Sequence, residues 1–156
     1  MIRYTGMASA ILVENKKARM KYAVVESYSA GIELSGAEAK SLRARQGSLD
    51  GARVVVRAGE AYLVGATIPP YQAGNAPKGY DPARTRRLLL AKKEIAELAD
   101  AEDGKGLTIV PFEVYNDRYL KVRVAIVRGK GKADKREDLK KKEAEREAER
   151  VLKNRR

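Results

Sequence analysis

The side chains that favour a binding chemistry in this chain are clustered lysines and arginines. Three groups of cations stand out, namely Lys16-Lys17-Ala18-Arg19, the pair Lys40 and Arg43, and Arg84-Thr85-Arg86-Arg87. Each group alone is typical of a solvated face. Several groups on one small domain would supply several phosphate contacts. Together they predict a surface that binds a polyanion.

The overall charge supports the same interpretation. The 156 residues contain 33 Lys and Arg against 21 Asp and Glu, which gives a formal net charge of +12. Nucleic acid is the commonest partner of so basic a protein. The eight tyrosines lie mostly in predicted strands. We expect most of them to pack in the core and the others to offer stacking surfaces for unpaired bases.

The composition argues against most enzymes. The chain has no Cys and no His, which excludes thiol catalysis, thiolate metal sites and a Ser-His nucleophile. We therefore predict no catalytic residue, no metal site and no cofactor. A metal-dependent nuclease that uses scattered carboxylates is the enzymatic alternative, and it predicts magnesium-dependent RNA cleavage.

No apolar run approaches the roughly 20 residues of a membrane span, and the N-terminus lacks a signal-peptide pattern. We expect a cytoplasmic protein that does not bind membranes. Residues 1–10 form a predicted flexible N-terminus, within which Met7 is an alternative start to Met1.

The first half of the chain predicts strands followed by a helix. Alternating apolar residues from Met20 to Leu34 indicate two strands around a turn at Ser29-Ala30-Gly31. Ser35-Gly36-Ala37-Glu38 has the form of a capping box and predicts a helix to about Gln46. In this interpretation Glu38 has a structural role.

The second half of the chain predicts a hairpin over 53–64 and a surface loop from Tyr71 to Asp81. A helix could start at Asp81-Pro82, and a clearer helix is predicted over 91–100. Two strands follow within 107–126. Roughly six strands and two or three helices without a βαβ rhythm favour a small antiparallel barrel of the oligonucleotide-binding (OB) type. We assign this barrel to residues 11–127.

Residues 128–156 are predicted to form a basic C-terminal tail. The tail opens with Arg128-Gly129-Lys130-Gly131-Lys132-Ala133-Asp134-Lys135-Arg136, and a helix from Lys135 to about Lys153 is predicted. Because this helix has little apolar surface, we expect it to be disordered in the free protein and to fold against an anionic groove.

The chain resembles the SsrA-binding protein (SmpB) family from about Ile11 to its C-terminus. Four motifs carry the resemblance: Asn15-Lys16-Lys17-Ala18-Arg19; Gly36-Ala37-Glu38-Ala39-Lys40-Ser41-Leu42-Arg43; Asp81-Pro82 with the arginines and leucines that follow; and Gly129-Lys130 with Asp134-Lys135-Arg136.

The resemblance implies an OB-type barrel without enzymatic activity that binds the tRNA-like domain of transfer-messenger RNA. With elongation factor Tu it would deliver this RNA to the decoding centre of a stalled ribosome for trans-translation, as a monomer in the complex. The tail would occupy the empty mRNA channel. The alternative is a general ribosome-associated RNA-binding protein with the same fold.

The resemblance also implies RNA-binding roles for Asn15, Leu89 and Lys121. Together with the cationic clusters, the predicted RNA-binding residues are Asn15, Lys16, Lys17, Arg19, Lys40, Arg43, Arg84, Arg86, Arg87, Leu89 and Lys121. The predicted ribosome-contacting tail residues are Gly129, Lys130, Lys132, Asp134, Lys135, Arg136, Lys142, Arg146 and Arg150. Two positions depart from the family, which commonly has Glu at Ser29 and His at Met20.

Overall fold

The computed structural model shows a curled β-sheet with three helices, and it describes residues 10–72, 74, 76–104, 106–129 and 146. The strands are β1 (Ala10–Glu14), β2 (Tyr22–Ile32), β3 (Arg53–Arg57), β4 (Glu60–Val64), β5 (Arg86–Leu89), β6 (Leu107–Asp117) and β7 (Tyr119–Gly129). The helices are α1 (Lys16–Lys21), α2 (Gly36–Arg43) and α3 (Lys92–Asp103). None of the helices in this part of the chain has the length and apolar character of a membrane span.

The strands form one antiparallel sheet in the order β1-β6-β7-β2-β5-β4-β3. Within the described residues β1 and β3 do not pair with each other, so the sheet is not closed. It curls around the core instead, because β3 packs against β6 and α3. The predicted mainly antiparallel fold with flanking helices is confirmed, with seven strands instead of about six, but the predicted barrel is an open, curled sheet in the described residues.

The predicted turn at Ser29-Ala30-Gly31 is wrong. Strand β2 continues through it, with Ala30 fully buried and Gly31 paired to Lys121 on one side and to Leu89 on the other. A Cβ at Gly31 would lie 3.2 Å from the Cβ of Leu89. This glycine therefore marks the close approach of two strands.

Strand β7 separates the core from the surface. Val122 is fully buried on its inner face. On the outer face Lys121 and Arg123 keep part of their surface in solvent, whereas Ala125 and Val127 are buried in a small cluster under α1. The first half of the outer face is thus open, and α1 covers the second half.

Helix α1 occupies a basic segment in which no helix was predicted. Asn15 caps it, because its Oδ1 accepts a hydrogen bond from the Ala18 N–H at 3.2 Å. The side-chain amide of Asn15 also donates to the carbonyls of Leu49 at 3.2 Å and Pro111 at 2.9 Å. Six residues are too few for a periodicity signal, and so short a helix depends on its cap and its packing.

The predicted helix start at Asp81-Pro82 is also wrong. The Asp81 side chain accepts a hydrogen bond from the Ala83 N–H at 3.0 Å, and its carbonyl accepts one from the Arg84 N–H at 3.2 Å, which closes a turn. The chain then enters β5, where Leu88 is buried and Leu89 is exposed.

Several other predicted elements are confirmed. In the capping box the Ser35 Oγ accepts a hydrogen bond from the Glu38 N–H at 3.1 Å, and Glu38 Oε1 accepts one from the Ser35 N–H at 2.9 Å. Helix α2 ends at Arg43 instead of about Gln46, since Arg45 adopts a left-handed φ of 63°. The β3–β4 hairpin, α3 and the β6–β7 hairpin lie where they were predicted.

The carboxylate of Glu38 is buried between two arginines. It accepts hydrogen bonds from Arg84 Nη2 at 2.6 Å and from Arg86 Nε at 2.8 Å. Arg86 is wholly buried, and its other donors reach the carbonyls of Ala66 at 3.1 Å and Pro82 at 3.0 Å. This cluster joins α2, β5 and the connection between β4 and β5.

The surroundings of Glu38 keep it ionised. Burial by itself raises the pKa of this carboxyl, but the hydrogen bonds from Arg84, the Ser35 backbone and Arg86 outweigh burial. They lower the pKa from 4.5 to about 2. The hydrogen bond to Glu38 in turn raises the pKa of Arg84, so Glu38 and Arg84 are both charged at neutral pH.

We expect Glu38→Gln to lower the free energy of unfolding at pH 7 by about 3–5 kcal/mol, because Arg86 would remain as an uncompensated buried charge. Urea denaturation followed by circular dichroism measures the change. Glu60→Gln is the matched control. It removes a carboxylate that lies 2.9 Å from the half-exposed Arg87, and it should cost less than about 1 kcal/mol. Equal losses in the two variants would contradict a special role for the buried cluster.

The same comparison has a defined pH dependence. Because the pKa of Glu38 is lower in the folded state, its contribution to stability is present above pH 4.5 and is lost as the pH falls towards about 2. The stability difference between the parent protein and Glu38→Gln should therefore shrink over this interval. A difference that stays constant down to pH 2 would argue against the lowered pKa.

Candidate nucleic-acid interface

One row of cross-strand neighbours crosses the open half of the outer face. Leu89 pairs with Gly31, and Gly31 pairs with Lys121. Lys121 pairs in turn with Tyr115 on β6. Directly paired residues share a face of the sheet, so the row places an apolar side chain and an ammonium group on either side of a glycine. Leu89 is 46% exposed, which is unusual for a strand leucine and leaves it available for contact.

A second row lies two residues further along the strands. Arg123 pairs with Ser29 on β2 and with Glu113 on β6. Its guanidinium lies 5.2 Å from the centroid of the Tyr115 ring and 3.9 Å from the Glu113 carboxylate. The buried Glu113 also accepts a hydrogen bond from Arg19 of α1 at 2.5 Å. Two arginines thus share one carboxylate, and the group keeps a net positive charge.

The hydroxyl of Ser29 is hydrogen-bonded to the hydroxyl of Tyr115. This contact fixes the tyrosine ring beneath the Arg123 guanidinium, where a cation–π contact favours the position of the cation. At the position where the resemblance implies a glutamate, this chain therefore uses a neutral hydroxyl and adds no negative charge to the surface.

Tyr119 begins β7 and lies on the same face as Lys121 and Arg123, with 69% of its surface exposed. Lys121 lies 3.8 Å from the Asp117 carboxylate, and a pair this exposed is weak. We call Leu89, Tyr119, Lys121 and Arg123 the outer-face site. It combines two cations with exposed apolar and aromatic surface, a combination that suits nucleic acid.

The arginine cluster before β5 does not present three free cations. Arg86 is wholly buried and paired with Glu38, so it exposes no cation on the surface, and its RNA-binding role stays a prediction. Arg84 is held by the same carboxylate. Arg87 lies 2.9 Å from Glu60 and 3.4 Å from Glu33. Arg84 and Arg87 keep 43% of their side-chain surface exposed, but their charge is largely neutralised within the fold.

Asn15, which was predicted to bind RNA, is also buried. Only 3% of its surface is exposed, and its side chain is hydrogen-bonded to the backbone of Ala18, Leu49 and Pro111. Asn15 caps α1 and anchors that helix to the sheet. It can therefore influence a neighbouring surface only by holding α1 in place.

The remaining predicted residues are exposed on other surfaces. Lys16 and Lys17 lie on α1, and Lys40 and Arg43 lie on α2, where the Lys40 ammonium is 4.9 Å from the centroid of the Tyr71 ring. Of the predicted tail, Gly129 ends β7 opposite Tyr22, and Arg146 is helical and exposed. The other predicted tail residues lie outside the described residues, namely Lys130, Lys132, Asp134, Lys135, Arg136, Lys142 and Arg150.

The prediction of the interface missed Tyr119 and Arg123. The alternation of Lys121 and Arg123 with buried residues in β7 was a usable signal for Arg123. Nothing in the sequence indicated that Gly31 would bring Leu89 beside Lys121. Among the described residues, no group of three or more Asp and Glu side chains is arranged to hold a metal ion.

The antiparallel curled sheet with three helices and this cationic, partly aromatic surface define a small basic protein of the kind that binds nucleic acid. The family model described as "SmpB protein" matches residues 12–154. The chain belongs to the SmpB family.

Relatives of known name cover nearly the whole chain. An "SsrA-binding protein" of Gloeothece citriformis is 42% identical over 144 residues, which is 92% of this chain and 93% of that protein. An "SsrA-binding protein" of Lactiplantibacillus plantarum is 45% identical over 144 residues, which is 92% of each chain. A solved structure described as "tmRNA-SmpB: a journey to the center of the bacterial ribosome" contains a chain with a TM-score of 0.65 and 42% identity. The similarity covers 76% of this chain and 84% of that chain.

We expect Asn15→Ala to lower the free energy of unfolding by about 2–4 kcal/mol, because the α1 cap is lost and two buried carbonyls lose their donor. Thermal or urea unfolding measures this effect. Lys16→Ala, at the adjacent exposed position, is the control and should change stability by less than about 0.5 kcal/mol. An Asn15→Ala variant as stable as the parent would show that the buried amide does not hold α1 in place.

Proposed function

We propose that the chain binds the tRNA-like domain of transfer-messenger RNA and carries it to stalled ribosomes for trans-translation. The single observation that carries this proposal is the outer-face site, where the pairing of Gly31 with both β5 and β7 places Leu89 and Lys121 on either side of one glycine. The name of the relatives and the tmRNA-SmpB structure support the choice of this RNA.

The outer-face site has the groups that such recognition needs. Lys121 and Arg123 would contact phosphates, and their fixed spacing on one strand would favour one backbone geometry. Leu89 and Tyr119 would pack against bases or sugars where the RNA is not regularly paired. Recognition would then depend on RNA shape as well as on charge.

The proposal includes no catalytic step, no metal and no cofactor. The chain would act as a cytoplasmic RNA-binding protein, with the ribosome and elongation factor Tu as its other partners and one copy in the complex. The basic tail, which begins where Gly129 pairs with Tyr22, would contact the decoding centre and occupy the mRNA channel when that channel is empty.

The first experiment compares binding to a transcribed tRNA-like domain with binding to an ordinary tRNA of equal length across a salt series. We expect a preference for the tRNA-like domain that persists in added salt, and an affinity about tenfold lower in Lys121→Gln, since one charge-assisted contact is lost. Lys93→Gln removes the same charge at an exposed position on α3, outside every predicted RNA-binding position, and should bind like the parent.

Equal binding of the two RNAs that collapses with salt would indicate phosphate attraction alone. It would favour the general ribosome-associated RNA-binding protein. Loss of affinity in Lys93→Gln equal to that in Lys121→Gln would show that the outer-face site is misplaced.

A second experiment separates the body from the tail. The double variant Lys135→Ala/Arg136→Ala should bind the tRNA-like domain nearly as the parent does, because the outer-face site is intact. It should fail in a reconstituted tagging assay on ribosomes stalled without a complete codon. A large loss of RNA affinity in this variant would contradict the proposal that the body binds the RNA and the tail contacts the ribosome.

A further inference from the structure

Strand β6 is irregular where it passes beneath α1. Its pairing with β7 shifts between Pro111 and Glu113, so that Phe112 is an extra residue opposite β7. Consecutive residues of a regular strand point to opposite faces, and a β-bulge re-aims one of them. Phe112 packs in the small cluster under α1, and Glu113 pairs with Arg123 on the outer face. The bulge therefore places a ring and a carboxylate next to each other on the same face.

The two carboxylate oxygens of Glu113 face two different arginines. Oε1 accepts the hydrogen bond from Arg19 Nη2 at 2.5 Å, and Oε2 lies 3.9 Å from Arg123 Nε. The Arg19 guanidinium also lies 5.7 Å from the centroid of the Phe112 ring, so both residues of the bulge contact this arginine of α1. Glu113 therefore links α1 to the strand that carries the outer-face site.

Burial keeps the Glu113 carboxylate away from any ligand of the outer face. The Glu113 side chain is 8% exposed, whereas that of Arg123 is 39% exposed. A phosphate group that approaches this face therefore meets the guanidinium before the carboxylate. The Tyr115 ring, whose centroid lies 5.2 Å from the Arg123 guanidinium, is a second restraint on the same cation.

We propose that Glu113 is a positioning residue of the outer-face site, where it holds the Arg123 guanidinium in the orientation that recognises the tRNA-like domain. An unrestrained arginine has many rotamers, and ordering it on binding costs conformational entropy. A guanidinium that is already held by a carboxylate and a ring has lost part of this freedom before the RNA binds. The inference rests on the proposed function and adds to it a residue that does not touch the RNA.

The direction of the effect distinguishes positioning from simple charge. If Glu113 acted only as a negative charge, Glu113→Gln would raise the affinity for every RNA, because one repulsive group is removed. If Glu113 positions Arg123, the same variant loses preference for the tRNA-like domain. Glu14→Gln is the matched control, because the exposed Glu14 pairs with Glu113 across β1 and β6. It removes the same charge from the same cross-strand row.

The test measures the affinities of full-chain variants for the transcribed tRNA-like domain and for an ordinary tRNA of equal length. We expect the ratio of the two affinities to fall about tenfold in Glu113→Gln, since one oriented charge-assisted contact is weakened. The ratio in Glu14→Gln should match that of the parent. Arg123→Gln should lower the ratio to the same degree, and the double variant Glu113→Gln/Arg123→Gln should lower it no further, because Glu113 acts through Arg123.

A parent-like ratio in Glu113→Gln would overturn the proposal, and so would a double variant in which the two single losses add. Urea denaturation establishes that each variant is folded under the binding conditions. Glu113→Asp keeps the charge and shortens the side chain by one methylene. It should lower the ratio by a smaller factor, and it replaces Glu113→Gln in the comparison if that variant does not fold.

A measurement without RNA tests the same contact. In NMR spectra of the free protein, the Arg123 Nε–H should give a slowly exchanging signal that is lost in Glu113→Gln and kept in Glu14→Gln. A signal kept in both variants would overturn the proposal. The proposed function fails on a different result, namely a parent protein that does not prefer the tRNA-like domain over tRNA, and the NMR comparison then still shows whether Glu113 holds Arg123.

Discussion

The buried carboxylate of Glu38 is the interaction on which most of the architecture depends. It holds Arg84 and Arg86 at the entrance of β5 and caps α2 through Ser35. Without it, a wholly buried guanidinium would have no counter-charge. Because β5 is the strand that pairs with β2 and carries Leu89, this ion pair helps to hold β5 in the position that the outer-face site requires.

The outer-face site is a consequence of sheet register. Leu89 and Lys121 are distant in sequence and come together only because Gly31 pairs with both. A side chain at Gly31 would press against Leu89, so the absence of a Cβ sets how closely β5 approaches β2. Leu89, Tyr119, Lys121 and Arg123 supply the side chains of the site. Gly31, which has no side chain, sets the distance between the strands that carry them.

The distribution of charge matters more than its total. The net charge of +12 indicated a polyanionic partner, but several arginines neutralise carboxylates inside the fold. Arg86 is buried, and Arg84 and Arg87 each lie beside a glutamate. The effective binding surface is therefore smaller than the composition suggests.

The sequence by itself determined the class of fold, the hairpins, the capped helix α2 and the basic character, because alternation, turn residues and capping boxes act between near neighbours. Through the family resemblance it also predicted Leu89 and Lys121 as RNA-binding residues. It misread Gly31 as part of a turn, and it did not reveal that Arg86 and Asn15 are buried. Each of those roles is set by residues far away in the chain: Leu89 and Lys121 for Gly31, Glu38 for Arg86, and Leu49 and Pro111 for Asn15. Burial and strand pairing are long-range properties, and only the tertiary structure could decide which polar groups face the core and which face the solvent.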